Sequence, residues 1–258
     1  MLIDTHAHLT DKAYGKDLED CLRRAGDAGV GAIINVGFSL SNARKAVALA
    51  GAYPDLYATV GIHPHDAAAA PRGYLEDLQR LTANSRVVAL GEMGLDFYRN
   101  ISPPPVQERV FREQLQLAKA VDLPVVIHDR DAHRRVLEIL TEEGVGEKRG
   151  VMHCFSGDMT LARKCMDLGL YISIAGPVTY KKAEELQEVA ASCPREHLLL
   201  ETDCPYLTPH PYRGKRNEPA HVSLVCRQVA ALRGETPAEV ARYTTDNAVR
   251  LFGLNLSL

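Results

Sequence analysis

The sequence predicts an α/β fold: a single (β/α)8 TIM barrel domain, residues 1–258, with extra C-terminal helices. The chain has 258 residues, which suits barrels that fold as one domain of roughly 250 residues. Short apolar runs alternate with segments of helical spacing, and this alternation indicates parallel β/α units. The first run contains no glycine, whereas a doubly wound open sheet usually opens with a glycine-rich phosphate turn, so we favour the barrel.

Eight apolar runs are predicted strands, and the steps between them average about 28 residues, enough for one strand, one helix and two loops. The runs are LIDTH, AIINVGF, LYATVGIH, VVALGE, PVVIH, GVMHCFS, YISIAG and HLLLETD, beginning near residues 2, 32, 56, 86, 124, 149, 171 and 197. Residues 107–120 have the apolar spacing of a helix. The tail 236–253 predicts an extra helix pair, capped by Thr236 before Pro237.

Composition and charge limit what the protein is expected to bind and where it is expected to act. With 30 basic and 33 acidic residues, the formal net charge is -3, so a polyanion would have to be bound by a local patch or a metal. No run approaches the ~18 apolar residues of a membrane span, and we expect no membrane association. The opening MLIDTHAH lacks the regions of a signal peptide, and the six cysteines are scattered. We therefore expect a cytoplasmic protein with reduced thiols, no cysteine-based zinc site and no obligatory protein partner.

Polar side chains interrupt the predicted strands at their C-terminal ends. The spacing follows the barrel period: His128 and His153 are 25 residues apart, and Asp203 follows His153 by 50. Side chains so spaced arrive at one rim, the face where barrel enzymes hold their active sites. The strand-end residues are His6, His8, His63, Glu92, His128, His153, Glu201 and Asp203.

This set of residue types is typical of a metal centre. His6 and His8 are an i, i+2 pair and share one face of a strand. A single strand-end histidine is more often a hydrogen-bonded structural residue than a ligand, but Glu92 would be costly to bury without a cation or partner. Four imidazoles and two carboxylates exceed the complement of one ion, so we expect two divalent ions about 3.5–4 Å apart. Their identity stays open among Mg, Mn and Zn.

The motifs THAHL, GIHPH, GEMGLDFY, VIHDR, HCFSG and ETDCPYL, in that order, resemble the TatD-type metal-dependent deoxyribonucleases of the amidohydrolase superfamily. The resemblance runs from residue 2 to the C-terminus. It implies a (β/α)8 barrel, a two-metal centre, and deoxyribonuclease or related phosphodiesterase activity. It also implies a distribution of ligands. One ion would be held by His6, His8, Glu92 and Asp203, the other by Glu92, His128 and His153, with Glu201 either behind these ligands or near the attacking water.

The resemblance, together with the site residues, implies a metal-dependent hydrolase that cleaves phosphodiester bonds of DNA, single-stranded and from an end, and possibly of RNA. The metals activate a water, and Asp203 orients it and accepts its proton. The loop after the eighth strand carries Arg213, Lys215 and Arg216, which we predict to contact substrate phosphates together with His63. A solvated charge cluster is the alternative for this loop. Phe97 and Tyr98 are expected to pack the loop after the fourth strand, with a platform for stacking bases as the alternative.

Two other functions fit parts of the pattern. The same centre could polarise a carbonyl and deacylate an ester or amide, such as a mischarged aminoacyl-tRNA. Many cyclic-amide members of the wider superfamily bridge their metals with a carboxylated lysine, so Glu92 at the bridge position favours phosphodiester hydrolysis. A barrel that binds nucleic acid or protein without catalysis would need a vestigial ligand set, and the intact set of six argues against it.

Overall fold

The computed structural model describes residues 1–256, so the last two residues of the predicted domain lie outside the described part. Eight parallel strands form one sheet in sequence order, each paired with the next along the chain. They are β1 Leu2–Ala7, β2 Val30–Gly37, β3 Leu56–Val60, β4 Val87–Asp96, β5 Val125–Arg130, β6 Gly150–Met152, β7 Leu170–Ile174 and β8 Leu198–Leu200. Every predicted strand is present, within two residues of its expected start.

The sheet closes between β1 and the chain that leaves β8. The backbone N–H of Asp203 donates to the carbonyl of His6 at 2.9 Å, and that of His8 donates to Cys204 at 2.8 Å. The Thr5 hydroxyl adds a hydrogen bond to the carbonyl of Leu200 at 3.0 Å. The fold is therefore a (β/α)8 barrel, and the predicted fold class is confirmed.

A helix follows each strand and covers the outside of the sheet. The helices are α1 Leu18–Asp27, α2 Leu40–Ala52, α3 Tyr74–Thr82, α4 Pro104–Ala120, α5 His133–Glu143, α6 Met159–Asp167, α7 Glu184–Ser192, α8 Val222–Arg233 and α9 Pro237–Phe252. The predicted helix 107–120 lies within α4. No helix between residues 1 and 256 has the length and apolar character needed to cross a membrane.

The barrel interior is apolar at one end and polar at the other. Val126, Val151 and Leu199 belong to an interior cluster, and two residues further along the same strands lie His128, His153 and Glu201. Side chains two apart on a strand share a face, so the polar groups form a layer directly above the apolar one. The apolar layer excludes water from below and fixes the strands that carry the polar layer.

The tail 236–253 forms one helix, α9, where a pair was predicted. Nothing within the segment breaks the helix, since its apolar face continues from Val240 to Leu251 without glycine or proline. The predicted cap is present: the Glu239 N–H donates to Oγ1 of Thr236 at 3.2 Å. Ala248, Leu251 and Phe252 join the interior apolar cluster, so α9 packs against the N-terminal end of the barrel.

Candidate metal centre

Two strand ends, those of β1 and β8, build a first cluster of donor atoms. The Nε2 atoms of His6 and His8, at the end of β1, lie 3.3 Å apart. Oδ1 of Asp203, in the chain after β8, is 3.2 Å from Nε2 of His8 and 3.8 Å from Nε2 of His6. The three side chains are largely buried, so their donor atoms face one another rather than solvent.

A second cluster lies beside the first, at the ends of β5 and β6. Nδ1 of His128 and Nε2 of His153 are 3.4 Å apart. Both face Oε1 of Glu92, at 2.9 Å and 3.1 Å respectively. The structure thus brings together all six side chains that were predicted as metal ligands.

Glu92 belongs to both clusters. Its Oε1 faces His128 and His153, while its Oε2 is 3.4 Å from Nε2 of His6 and 3.8 Å from that of His8. A carboxylate that offers one oxygen to each of two donor clusters has the geometry of a bridge between two ions.

Two glycines allow β4 to present Glu92 in this position. A Cβ atom at Gly91 would lie 2.4 Å from the carbonyl oxygen of Val126, and one at Gly94 would lie 2.0 Å from that of His128. Both glycines also have positive φ, which L side chains rarely adopt. The GEMG segment therefore approaches β5 more closely than any side chain would permit.

The donor set fits divalent ions. Ligands held at about 2.1 Å from one ion are roughly 3.0–3.4 Å from each other, close to the separations seen here. The Nδ1 atoms of His6 and His8 are buried without a hydrogen-bond partner among residues 1–256. These two imidazoles, whose only polar neighbours face Nε2, are therefore arranged as Nε2 ligands rather than as members of a hydrogen-bond network. His6, His8, Glu92 and Asp203 would hold one ion, and Glu92, His128 and His153 the other.

Electrostatics favour ionised carboxylates and a neutral His6. Burial opposes ionisation of Glu92, but the surrounding His63 and His153 hold the pKa of this carboxyl well below its usual range. Burial likewise opposes ionisation of Asp203, yet its hydrogen bond with His8 lowers the pKa. Desolvation lowers the pKa of His6. Burial opposes protonation of His8, His128 and His153, but neighbouring carboxylates raise the pKa of each ring. A bound cation would therefore take the place of protons on these rings.

Glu201 lies behind His153 rather than inside either cluster. Its Oε1 accepts the backbone N–H of Cys154 at 2.8 Å and lies 3.1 Å from Nδ1 of His153. A carboxylate at Nδ1 keeps a proton on that nitrogen and leaves the Nε2 lone pair free. Glu201 therefore orients a predicted ligand from the far side of its ring.

Asp96, at the end of β4, is a buried acid that the sequence analysis did not single out. Its Oδ2 is 2.8 Å from Nε2 of His65 and 3.3 Å from Nε2 of His128, and its Oδ1 accepts the Arg99 N–H at 2.7 Å. Held from Nε2, the His128 ring presents Nδ1 to Glu92. The one available signal was a second acid four residues after Glu92 in the same apolar strand.

His63 lies beside the second cluster with a different hydrogen-bond pattern. Its Nδ1 accepts the backbone N–H of His65 at 3.0 Å, and its Nε2 is 3.4 Å from Oε1 of Glu92. Because Nδ1 is an acceptor, the proton of the neutral ring is on Nε2. Burial lowers the pKa of His63 to about 4, which keeps the ring neutral near pH 7. In this hydrogen-bond arrangement His63 is a donor at the centre, although its ring also belongs with Glu92 and His128 to a group of donor atoms close enough to hold an ion.

The three basic residues of the loop after β8 have different kinds of partner. Arg216 donates to both carboxylate oxygens of Asp17, at 2.7 Å and 2.6 Å, and to Oε1 of Glu218 at 2.7 Å. Arg213 instead lies 4.3 Å from the centre of the Tyr180 ring, and Lys215 lies 5.6 Å from that of Tyr212. Arg216 thus links the loop to the start of α1, whereas Arg213 and Lys215 lie beside aromatic rings.

Phe97 and Tyr98 do not share the packing role expected of them. Phe97 packs partly buried against the outer core, as predicted. Tyr98 is 62% exposed, so the expectation that it packs the loop is wrong. Its partner is the guanidinium of Arg130, which local sequence could not reveal because the two residues come from different strand ends.

Known proteins share this fold and most of its length. A model of the TatD related DNase family matches residues 3–253. The chain is 47% identical over 255 residues to the uncharacterized metal-dependent hydrolase YabD of Bacillus subtilis, covering 99% of this chain and 100% of that protein. It is 39% identical over 259 residues to the 3'-5' ssDNA/RNA exonuclease TatD of Shigella flexneri, covering 98% and 99%. The crystal structure of YJJV, a TatD homolog from Escherichia coli K12, superimposes with a TM-score of 0.92 at 35% identity over 98% of each chain.

A closed barrel with two adjoining donor clusters at its C-terminal rim defines a metal-dependent hydrolase. Within that class, the chain belongs to the TatD family. The family resemblance drawn from the sequence motifs is confirmed.

Proposed function

We propose that this hydrolase cleaves phosphodiester bonds of single-stranded DNA from an end, with a water activated by two divalent ions. The observation that carries the proposal is the position of Glu92, whose two oxygens face two separate donor clusters. Paired ions of this kind are typical of phosphatases, nucleases and polymerases, where they stabilise an in-line displacement at phosphorus. The same proposal covers RNA, which presents the same phosphodiester linkage.

Bound ions would supply two effects: a water pKa lowered from 15.7 to about 7, and neutralisation of the phosphoryl oxygens. The protein itself supplies a general base, Asp203, that takes the proton of the water. Asp203 combines burial with an ionised carboxylate whose Oδ1 lies in the first cluster. It orients the water and accepts its proton, as a general base requires.

Neighbouring residues position the substrate and the ligands. Nε2 of His63 lies 3.4 Å from Oε1 of Glu92, and from this position beside the second cluster it donates to a phosphoryl oxygen of the substrate. Glu201 and Asp96 hold the rings of His153 and His128 from behind. Arg213 and Lys215 bind phosphates that flank the scissile one, because within residues 1–256 neither has a carboxylate within 4.0 Å and both retain their donors for a polyanion.

Relatives support a nucleic acid substrate. The Shigella flexneri relative is named a 3'-5' ssDNA/RNA exonuclease. A chain with a net charge of -3 does not attract a polyanion through its overall field. Nucleic acid would therefore be attracted by the basic residues of the rim and by bound metal ions.

The decisive experiment compares substrates on one chelator-treated preparation. End-labelled single-stranded DNA, RNA and an aminoacyl-tRNA are each incubated with the metal-free protein and after addition of Mg, Mn or Zn. We expect metal-dependent shortening of the DNA from one end, with the aminoacyl bond intact. Deacylation of the tRNA without cleavage of DNA or RNA would replace this proposal with the deacylase alternative.

A further inference from the structure

Large apolar side chains that stay exposed between residues 1 and 256 concentrate at the catalytic rim. They are Tyr98 and Ile101 after β4, Tyr206 and Tyr212 after β8, and Met1. Only Met1 lies away from the loops that surround the donor clusters. Exposed aromatic rings around a charged centre are a feature of proteins that bind unpaired nucleic acid bases, because every base has a face on which a ring can stack.

Tyr98 is the most exposed of these rings, at 62%. The Cζ atom of Arg130 lies 4.0 Å from the centre of its ring. The sheet fixes this pair: Arg130 ends β5 opposite Asp96 of β4, and the Phe97 N–H donates to the Arg130 carbonyl at 2.9 Å. One face of the ring is thus covered by a cation, and the exposed fraction leaves the other side accessible.

Arg130 differs from most arginines of this protein in its partners. Within residues 1–256 no carboxylate comes within 4.0 Å of its side-chain nitrogens, whereas Arg24, Arg112 and Arg216 each contact two. A guanidinium can stack on an aromatic ring and still donate in its own plane, so Arg130 keeps its donors for an anion. It lies two residues after His128, and therefore beside the second donor cluster.

We propose that Tyr98 and Arg130 form a subsite for the nucleotide next to the scissile bond, with its base stacked on the open face of Tyr98 and its phosphate held by Arg130. This subsite rests on the proposed function. It lies across the mouth of the barrel from the loop that carries Arg213 and Lys215, since β4 and β5 face β8 in an eight-stranded barrel. A strand bound in the centre would then have contacts on both sides of the scissile phosphate.

The subsite explains a preference for unpaired nucleotides. A base can stack on Tyr98 only after it has left its neighbours in a duplex, and unstacking costs free energy that a single strand largely avoids. Aromatic stacking contributes about 1–3 kcal/mol per base, which corresponds to a factor of about 5 to 150 in affinity.

The test measures KM and kcat on single-stranded oligonucleotides for the wild-type protein, Tyr98→Leu, Tyr98→Phe and Ile101→Ala. Ile101→Ala is the matched control, because Ile101 lies on the same loop and is equally exposed but has no ring. We expect Tyr98→Leu to raise KM by about 5- to 150-fold, Tyr98→Phe to restore it, and Ile101→Ala to leave it unchanged. Circular dichroism checks that each variant folds.

Oligonucleotides with a single abasic site, moved one position at a time from the cleaved end, locate the nucleotide concerned. An abasic site at one position should raise KM for the wild-type protein. The same abasic site should leave KM of Tyr98→Leu unchanged, because the missing base and the missing ring remove the same stacking contact. Arg130→Gln should raise KM and flatten its salt dependence by about 0.7, the slope for one phosphate on a single strand.

The outcomes separate the subsite from the proposed function. If the wild-type protein cleaves DNA and Tyr98→Leu has the same KM, the subsite is wrong and the proposed function stands. The same holds if every abasic site raises KM of Tyr98→Leu as much as it raises KM of the wild-type protein. If no metal supports cleavage of any oligonucleotide by the wild-type protein, both are overturned.

Discussion

At the scale of single residues, we expect Glu92 to determine whether the centre holds one ion or two. Glu92→Gln keeps the size of the side chain but removes the charge that separates two mutually repelling cations. We expect metal content, measured by mass spectrometry on desalted protein, to fall to one ion or none per chain, with a larger loss of activity than for any single histidine ligand. A variant that keeps two ions and normal turnover would show that Glu92 is not the bridge.

Asp96 acts on the same centre through a ligand. Asp96→Asn cannot hold a proton on Nε2 of His128 as a carboxylate does, so the ring loses its fixed tautomer. Losses of this kind usually weaken metal affinity 10–100-fold. Isothermal titration with Mn should show the weaker affinity at one of two sites, with the other unchanged. Asp129→Asn, on the same strand end but paired with His133, is the control and should leave both affinities intact.

The residues of the centre differ in how far sequence alone could predict them. His128, His153 and Asp203 follow from the barrel period, because the ends of parallel strands must meet at one rim. Asp96 does not, since its role depends on His65, a loop residue 31 positions away whose proximity only the folded barrel creates. Tyr98 was misjudged for a similar reason: exposure is a tertiary property, and a low aromatic content conceals where the few rings lie.

At the scale of elements, we expect the loop between β8 and α8 to combine substrate binding with stabilisation of the fold. Arg213 and Lys215 have aromatic neighbours, and each contact with a phosphate releases counterions with a slope near -0.7 on a single strand. Replacing both with alanine should therefore raise KM for an oligonucleotide and flatten its salt dependence by up to about 1.4. Kinetics between low and moderate salt measure this slope. An unchanged slope would mean that this loop is only a solvated surface.

Arg216 should affect stability instead. Its hydrogen bonds lower the pKa of Asp17 to about 2, from an ordinary value near 4. A carboxyl with a depressed folded pKa stabilises the native state above its unfolded pKa, and this contribution disappears as the pH falls from about 4 toward 2. Arg216→Ala should thus unfold at a lower urea concentration than the wild-type protein at pH 7. The difference between the two urea midpoints should become smaller near pH 2. Arg213→Ala is the matched control without an ion pair, and equal midpoints for both variants at pH 7 would contradict the assignment.

These two cationic roles could not be separated from sequence. Arg213, Lys215 and Arg216 occur within four positions and look alike, but the partner of Arg216 is Asp17, 199 residues earlier.

The C-terminal tail was predictable from local sequence in one feature and not in another. Its cap at Thr236 was predictable from local sequence, whereas the number of helices depended on a continuous apolar face that packs against the barrel end.

At the scale of the whole molecule, fold and metal binding are separable. The interior cluster and the outer layer bury apolar side chains from all eight strands and their helices, and neither depends on a metal. Chelation with EDTA should therefore abolish activity and leave the circular dichroism spectrum nearly unchanged. Global unfolding on chelation would mean that the ions are structural and would remove the argument for a preformed centre.

The account rests on two ions acting together on a phosphodiester. The most direct test titrates Mn into chelator-treated protein and follows bound Mn and cleavage of end-labelled single-stranded DNA in the same samples. We predict that cleavage stays low while the first equivalent binds and rises with the second, reaching its maximum at two ions per chain. Full activity at one ion per chain, or two bound ions without cleavage, would contradict the account.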